Sequence, residues 1–141
     1  PGKIDPPILH PIERKAVQPR DYLNPQPQEP QQQIWFRATG DLGDDLCRHQ
    51  TVLAFMSDFG LLGTALLPHP HTGMDKGLQS ASLDHALWFH HPFRADEHLL
   101  YVLDSPVAAA GRGFSRGSFY TREGLLVAST AQECLLRLHT S

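Results

Sequence analysis

The segment from Leu46 to Leu67 constrains the fold more than any other part of the chain. It predicts a helix with Asp44 or Asp45 as the N-cap residue and a break near Gly60. At about 100° per residue, its apolar side chains cover almost the whole helix circumference. They are Leu46, Val52, Leu53, Phe55, Met56 and Leu62. A helix that is apolar all round is buried on all sides, so the rest of the chain is expected to wrap it.

The sequence on both sides of this helix is typical of β-strands. A tight hairpin turn is predicted at Arg122-Glu-Gly124, and a loop at His71–Gln79. An antiparallel sheet that is long enough to curl can enclose one buried helix, so the predicted fold class is α+β. The predicted strands are Ile34–Ala38, Ser82–His91, His98–Ser105, Gly113–Thr121 and Leu125–Leu138.

Proline is concentrated at the start of the chain. Residues 1–30 hold eight of the twelve prolines, and six glutamines lie between Gln18 and Gln33. Each proline fixes φ and removes a backbone donor, so this stretch cannot hold a helix. We predict an extended linker over residues 1–30, or an arm lying on the domain surface, and a folded domain over residues 31–141.

Charge and composition exclude several classes of protein. The net charge of −3 gives no basic surface that would attract a nucleic acid. No metal or other cofactor is predicted. No apolar run approaches the roughly 20 residues of a membrane span, and no signal peptide is visible. Two cysteines are too few for a disulfide scaffold and fit a reducing compartment, so a cytoplasmic location is expected.

Asp58 is the one charged residue, counting Asp, Glu, Lys and Arg, between His49 and Met74. A carboxylate on a buried helix costs free energy unless it is paired, and Asp is a poor residue for a helix interior. Violations of this kind concentrate at functional sites. The structural alternative is that Asp58 caps a second helical piece beginning at Phe59. The two interpretations are compatible, because a capping Asp can still face a site.

Gln132 lies on the face of the last predicted strand that carries Ala128, Thr130 and Cys134, and this face is expected to point toward the helix. A core-facing amide needs partners, and it can bridge a carboxylate to a water molecule. A satisfied structural glutamine is the alternative, which the residues alone favour. Ser82, predicted to begin the strand after the loop, is by itself an ordinary hydroxyl.

Two further patterns carry less weight. Gly113-Phe-Ser-Arg-Gly117 matches G-x-S-x-G, but that motif needs a helix after it, and here a strand follows, so Ser115 is predicted to be an ordinary strand residue. The nine histidines match no zinc spacing. His85 and His90 are therefore predicted to make structural hydrogen bonds.

Several motifs that occur in order over residues 33–138 resemble the acyl-CoA thioesterase II family, and together they are more specific than any one of them. The resemblance implies a hotdog fold, with a long helix wrapped by an antiparallel sheet. It also implies hydrolysis of acyl-CoA thioesters to fatty acid and coenzyme A. The motifs are Met56-Ser-Asp-Phe59, Ala81-Ser-Leu-Asp-His-Ala-Leu-Trp-Phe-His90, Pro92-Phe, Leu99-Leu-Tyr101, Arg112-Gly-Phe and Ala128-Ser-Thr-Ala-Gln-Glu133.

The resemblance also implies the site residues. The family's catalytic Asp, Thr or Ser, and Gln fall on Asp58, Ser82 and Gln132. Ser82 stands where the family often has Thr, so its hydroxyl lacks the β-branched restraint on χ1. Cys134 stands where the family usually has Gly and is expected to crowd the neighbouring strand. Arg94, Arg112 and Arg116 are candidates for the phosphates of coenzyme A, with a solvated surface role as the alternative.

Members of this family usually carry two hotdog units in one chain, and this sequence matches the second. The expected partners are therefore the acyl-CoA substrate and a second hotdog unit, which is either the missing N-terminal half or a copy of this chain. An exposed sheet edge predicts the same association.

No Ser or Cys has the surroundings of a covalent nucleophile, so the resemblance leads us to predict direct attack by water. Asp58 is the expected base, with Gln132 and Ser82 orienting the water. One alternative is a hydratase or dehydratase on the same fold, which usually needs a His beside the carboxylate; no His lies near Asp58 in the helix. The other is a non-catalytic partner unit, against which the retention of all three residues argues.

Overall fold

The computed structural model describes residues 12–21, 23–24, 26–68 and 78–138. Within these ranges, seven strands form one antiparallel sheet in the order β1-β2-β5-β6-β7-β3, and β4 also pairs with β7. The sheet curls around the helical segment between β2 and β3, which confirms the predicted α+β class. The elements are β1 Ile12–Ala16, β2 Gln31–Ala38, α1 Leu46–Ser57, α2 Leu61–Leu66, β3 Leu78–Ser82, β4 Ala86–Phe89, β5 Leu99–Ala109, β6 Arg112–Thr121 and β7 Leu126–Leu138.

The core lies between α1 and the concave face of the sheet. Alternate residues of β2 point inward, and Phe36 is fully buried there. At the centre of the sheet, the Tyr101 ring stacks on Phe119 with a centroid distance of 3.9 Å. Each such side chain stabilises the fold by roughly 1.5–3 kcal/mol relative to its exposed state.

The predicted helix is interrupted where the sequence places its glycine. The Asp45 carboxylate accepts the Cys47 N–H at 3.0 Å and caps α1, as predicted. Gly60 adopts a φ of +96° between the two helices, a conformation that L side chains rarely adopt. A Cβ atom at this position would lie 2.9 Å from the Ile34 side chain. The predicted break near Gly60 is therefore confirmed.

The prediction that the helix is buried on all sides is wrong for this chain. Helix α1 buries one side against the sheet, whereas Cys47, Thr51, Phe55 and Asp58 are exposed. Their spacing of four, four and three residues places them along one face of the helix. The apolar Phe55 ring, 38% exposed, belongs to that open face and not to the core.

The predicted strand Ser82–His91 is split in two, and Ser82 ends β3 and does not begin a strand. The carboxylate of Asp84 accepts the Glu133 N–H at 2.7 Å, taking the place of a backbone acceptor in the ladder. This contact separates β3 from β4. Strand β3 also includes Leu78 and Gln79, which the sequence assigned to a loop. The rest of that predicted loop, residues 71–77, lies outside the described residues.

Part of the predicted linker or arm lies along the sheet edge. Strand β1 pairs with β2, and the guanidinium of Arg14 lies 4.8 Å from the centre of the Phe59 ring. Residues 1–11 lie outside the described residues. A domain boundary at residue 31 stays a prediction.

The loop that precedes α1 is hydrogen-bonded to the loop between β4 and β5. The Asp96 carboxylate accepts the Leu42 N–H at 2.9 Å and pairs with Arg94 at 2.9 Å. Burial alone would raise the pKa of Asp96, but the hydrogen bonds from Arg94 and Leu42 outweigh it and hold the pKa below its ordinary value. Ionised Asp96 therefore stabilises the folded state.

We expect Asp96→Asn to lower the melting temperature at neutral pH. Because the folded-state pKa is lower than the unfolded-state value of 3.8, the contribution of Asp96 is present above that value and is lost as the pH falls through the folded-state pKa. The difference between the variant and the wild type should therefore shrink below about pH 4. Thermal melts over a pH series measure this, and a difference that stays constant into strong acid would contradict it.

In the part of the chain that the structure describes, Cys47 and Cys134 are free thiols. No group of three or more His, Cys, Asp or Glu side chains in these ranges is arranged to hold a metal ion. Neither described helix is long and apolar enough to cross a membrane.

Candidate active site

The Gln132 amide is held inside the fold on the predicted face of β7. The residue is 1% exposed, and its neighbours on that face, Thr130 and Cys134, are buried as well. Its Oε1 lies 2.8 Å from Nδ1 of His85. Its Nε2 has no hydrogen-bond partner among the described residues. A buried donor without a partner costs roughly 1–3 kcal/mol, so this Nε2 is suited to bond a water or substrate molecule that enters the site.

His85 connects Gln132 to the end of α1. Its Nε2 lies 2.8 Å from Oγ of Ser57, the residue before Asp58. The prediction that His85 makes structural hydrogen bonds is confirmed, but its place beside Gln132 was missed. The signal in the sequence was the polar pair Asp84-His85 inside an otherwise apolar predicted strand.

Asp58 is exposed and occupies the C-cap position of α1. The expectation that it sits on a buried helix is wrong for this chain, because it lies on the open face of α1. The capping alternative is also wrong in detail, because Gly60 is the N-cap residue of α2.

The Tyr101 phenol ties the end of α1 to the sheet. It donates to the Ser57 carbonyl at 2.7 Å and lies 2.7 Å from the Thr130 hydroxyl. Burial raises the pKa of Tyr101, the Thr130 hydrogen bond opposes this, and the charge of Asp58 raises it further. The phenol therefore stays protonated at neutral pH.

Ser82 is exposed at the end of β3, in register with Cys134 of β7. Paired residues share a face of the sheet, so Ser82 lies on the helix-facing side, two register positions from Gln132. No hydrogen bond among the described residues joins the side chains of Asp58, Ser82 and Gln132 directly. Hydrogen bonds through His85 join Gln132 to Ser57, the residue before Asp58 in the sequence.

Cys134 packs against β6, where its register partner is Gly113. A Cβ atom on Gly113 would lie 3.2 Å from the Cys134 sulfur, so the absence of a side chain there relieves the expected crowding. Burial also raises the pKa of the Cys134 thiol, which keeps it protonated and weakly nucleophilic.

Ser115 is buried within β6, and its hydroxyl donates to the Leu61 carbonyl at 2.7 Å. Within the described residues no helix follows it, since β6 turns into β7 through the predicted hairpin at residues 122–124. The prediction that Ser115 is an ordinary strand residue is confirmed.

The three candidate arginines are already paired with carboxylates. Arg112 contacts Glu133 at 2.7 Å, and Arg116 contacts Asp104 at 2.8 Å. Arg94 pairs with Asp41, Asp44 and Asp96. A phosphate would have to compete with these carboxylates, so the geometry favours the surface role for each arginine.

Comparison with known proteins gives concordant matches. The acyl-CoA thioesterase family model matches residues 7–135. The chain is 46% identical over 129 residues to acyl-coenzyme A thioesterase 8 of Mus musculus, covering 91% of this chain and 40% of that protein. It is 38% identical over 107 residues to acyl-CoA thioesterase 2 of Haemophilus influenzae, covering 76% of this chain and 37% of that protein.

The crystal structure of acyl-CoA thioesterase II TesB2 from Mycobacterium marinum superposes with a TM-score of 0.78 at 43% identity, covering 99% of this chain and 56% of that chain. Together with the sheet curled against one side of the helix, this identifies the predicted hotdog fold. The chain spans about 40% of the length of the mouse relative. Because the family model matches residues 7–135, which is most of the sequence, the chain belongs to the acyl-CoA thioesterase family.

Proposed function

We propose that this chain is a hotdog unit that hydrolyses acyl-CoA thioesters to free fatty acid and coenzyme A by Asp58-assisted attack of water. The observation that carries the proposal is the Gln132 amide, whose Nε2 donor is buried without a partner in a chain related to named thioesterases. Such a donor suits a group that is present only when substrate is bound.

The proposed reaction is a direct displacement. The oxygen of a water molecule attacks the thioester carbonyl carbon while Asp58 accepts one of its protons. The carbon–sulfur bond then breaks, and the leaving thiolate takes a proton back from Asp58. The Nε2 of Gln132 and the hydroxyl of Ser82 donate hydrogen bonds that hold the water and the developing negative charge in place.

Two observations favour water over a protein nucleophile or a hydratase reaction. The thiol of Cys134 and the hydroxyl of Ser115 are both buried and bonded to backbone carbonyls, so neither is available for attack. His85 does lie near the end of α1, but both of its ring nitrogens are engaged, by Ser57 and Gln132. Neither nitrogen is free to exchange a proton with a substrate as a hydratase histidine must.

The second hotdog unit belongs to the same proposal, either the N-terminal unit or a second copy. Large apolar side chains are exposed near the site, with Phe55 of α1 at 38% and Leu83, between β3 and β4, at 47% exposure. Strands β3 and β4 form one edge of the described sheet, and an edge of this kind invites pairing. A unit packed on this side would also cover Asp58 and exclude bulk water from the site.

Release of coenzyme A from a long-chain acyl-CoA, followed with a thiol reagent, tests the proposal. The chain is separated by size and assayed as a monomer, as a self-associated pair and as a mixture with an N-terminal hotdog unit of a two-unit relative. We expect release from a paired form. Full activity in the monomer fraction would contradict the need for a partner, and no release from any form would contradict the activity itself.

A further inference from the structure

The hydrogen bonds of His85 decide which end of the Gln132 amide faces the reaction centre. The ring places Nδ1 at 2.8 Å from the amide of Gln132 and Nε2 at 2.8 Å from the Ser57 hydroxyl. The oxygen and nitrogen ends of an amide are nearly the same size, so its orientation follows from its partners. A protonated Nδ1 requires the amide oxygen to face the ring, and a bare Nδ1 requires the amino group to do so.

The Ser57 hydroxyl can bond Nε2 of His85 whether or not Nε2 is protonated, so it does not determine which ring nitrogen carries the proton. Its hydroxyl has one proton and lies 2.7 Å from the Ala54 carbonyl as well as 2.8 Å from His85. It can donate to Ala54 while accepting from a protonated Nε2, or donate to a bare Nε2. The choice therefore depends on the surroundings of Gln132.

The contacts of the Gln132 amide make that choice. Its Oε1 lies 2.8 Å from Nδ1 of His85, whereas its Nε2 has no hydrogen-bond partner among the described residues. The amino group of Gln132 therefore turns toward the site and its oxygen toward His85. That oxygen can accept only from a protonated Nδ1.

We infer that His85 is a positioning residue, which donates from Nδ1 to the Gln132 oxygen and so holds the Nε2 amino group toward the thioester. This inference rests on the proposed function. The neutral ring with its proton on Nδ1 and the doubly protonated ring both give this orientation. Only the neutral ring with its proton on Nε2 reverses it.

A local irregularity of the sheet places His85 at this point. Ser82 pairs with Cys134 and Ala86 pairs with Ala131, so residues 83–85 stand opposite only residues 132–133. One extra residue makes a bulge, which re-aims a side chain and often accompanies an active site. The Leu83 N–H donates to the Glu133 carbonyl at 2.9 Å, and Asp84 accepts from the Glu133 N–H, so the bulge is fastened at two points.

Kinetics of matched histidine variants test the inference. In His85→Phe, the amide loses the donor that orients it, so kcat should fall about 100-fold, the effect expected of a misplaced catalytic group. KM should change by no more than about threefold, because the lost interaction stabilises the transition state and not the bound substrate. His85→Asn places an amide N–H near the position of Nδ1 and should recover about tenfold of that loss.

His90→Phe is the control, because His90 bonds the Ser129 hydroxyl at 2.9 Å on the opposite face of β7. It should keep the wild-type kcat. A wild-type kcat in His85→Phe, or a His85→Asn variant no better than His85→Phe, would overturn the inference.

NMR of the histidine ring nitrogens in the full chain measures which nitrogen of His85 carries the proton, and it requires no catalytic turnover. The His85 signals are assigned by their loss in His85→Asn. His49 is an internal reference of the opposite kind, because its Nδ1 accepts the Ala95 N–H at 2.9 Å and its proton must therefore lie on Nε2. We expect a proton on Nδ1 of His85, and a neutral ring with its proton on Nε2 alone would overturn the inference. If the wild type hydrolyses no acyl-CoA, the proposed function fails, whereas this measurement still decides the orientation of the amide.

Discussion

Asp58→Asn is expected to lower kcat for acyl-CoA hydrolysis by about 1000-fold, the range in which a positioned general base contributes. Asparagine keeps the size of the side chain and one carbonyl oxygen but cannot take a proton from water. Asp58 is exposed and makes no side-chain hydrogen bond with the other described residues, so the variant should fold normally. Its free energy of unfolding should stay within about 0.5 kcal/mol of the wild type.

Glu97→Gln is the matched control for this variant. It removes the same charge from another exposed carboxylate, in the loop between β4 and β5. Steady-state coenzyme A release and thermal melts are measured for both proteins. Loss of activity in both variants would point to net charge as the cause, and survival of activity in Asp58→Asn would remove Asp58 from the mechanism.

Gly117→Ala is expected to destabilise the fold by about 3 kcal/mol or more, at the upper end of the cost of overpacking a core. A Cβ atom at Gly117 would overlap Cε1 of Tyr101 and lie 2.9 Å from the Thr130 hydroxyl. The Tyr101 ring cannot move away, because it stacks on Phe119 and its hydroxyl holds Ser57 and Thr130. The added methyl therefore strains the contact that fixes the end of α1.

Urea unfolding measures this loss, with Gly63→Ala as the control. Gly63 lies in α2, and a Cβ atom there would meet only the Gln32 amide, at 3.9 Å. Alanine at this helical position should be neutral or stabilising by up to about 1 kcal/mol. Equal free energies of unfolding for Gly117→Ala and the wild type would contradict the prediction, because the Tyr101–Phe119 stack would then have moved aside without loss of stability.

The sequence predicted the burial of Gln132 correctly, because the evidence for it is local. Along β7, side chains alternate between the two faces, so one polar residue among apolar neighbours identifies a buried amide. The helix break at Gly60 and the cap at Asp45 were predictable for the same reason, since each depends on the conformational preference of a single residue.

The errors have a common physical origin in contacts that the local pattern does not contain. The apolar residues of α1 include Phe55, which is exposed in this chain, and composition cannot separate a core face from a face that another unit would cover. The hydrogen bond between Asp84 and Glu133, which splits the predicted strand, is a tertiary contact. The local pattern does not contain it, so the sequence predicts Ser82 at the start of one continuous strand. His85 was missed as part of the site because its partners, Ser57 and Gln132, lie 28 and 47 residues away in the sequence.

Transfer of solvent oxygen in a single turnover tests the role of Asp58 most directly. Enzyme in excess over acyl-CoA reacts in water labelled with the heavy isotope of oxygen, and mass spectrometry reads the fatty acid and the peptide that contains Asp58. If Asp58 acts as a base for water, the first fatty acid released carries the solvent label and the peptide carries none. If Asp58 instead attacks the thioester, the label enters the Asp58 carboxylate and the first fatty acid is unlabelled, which would contradict direct attack by water.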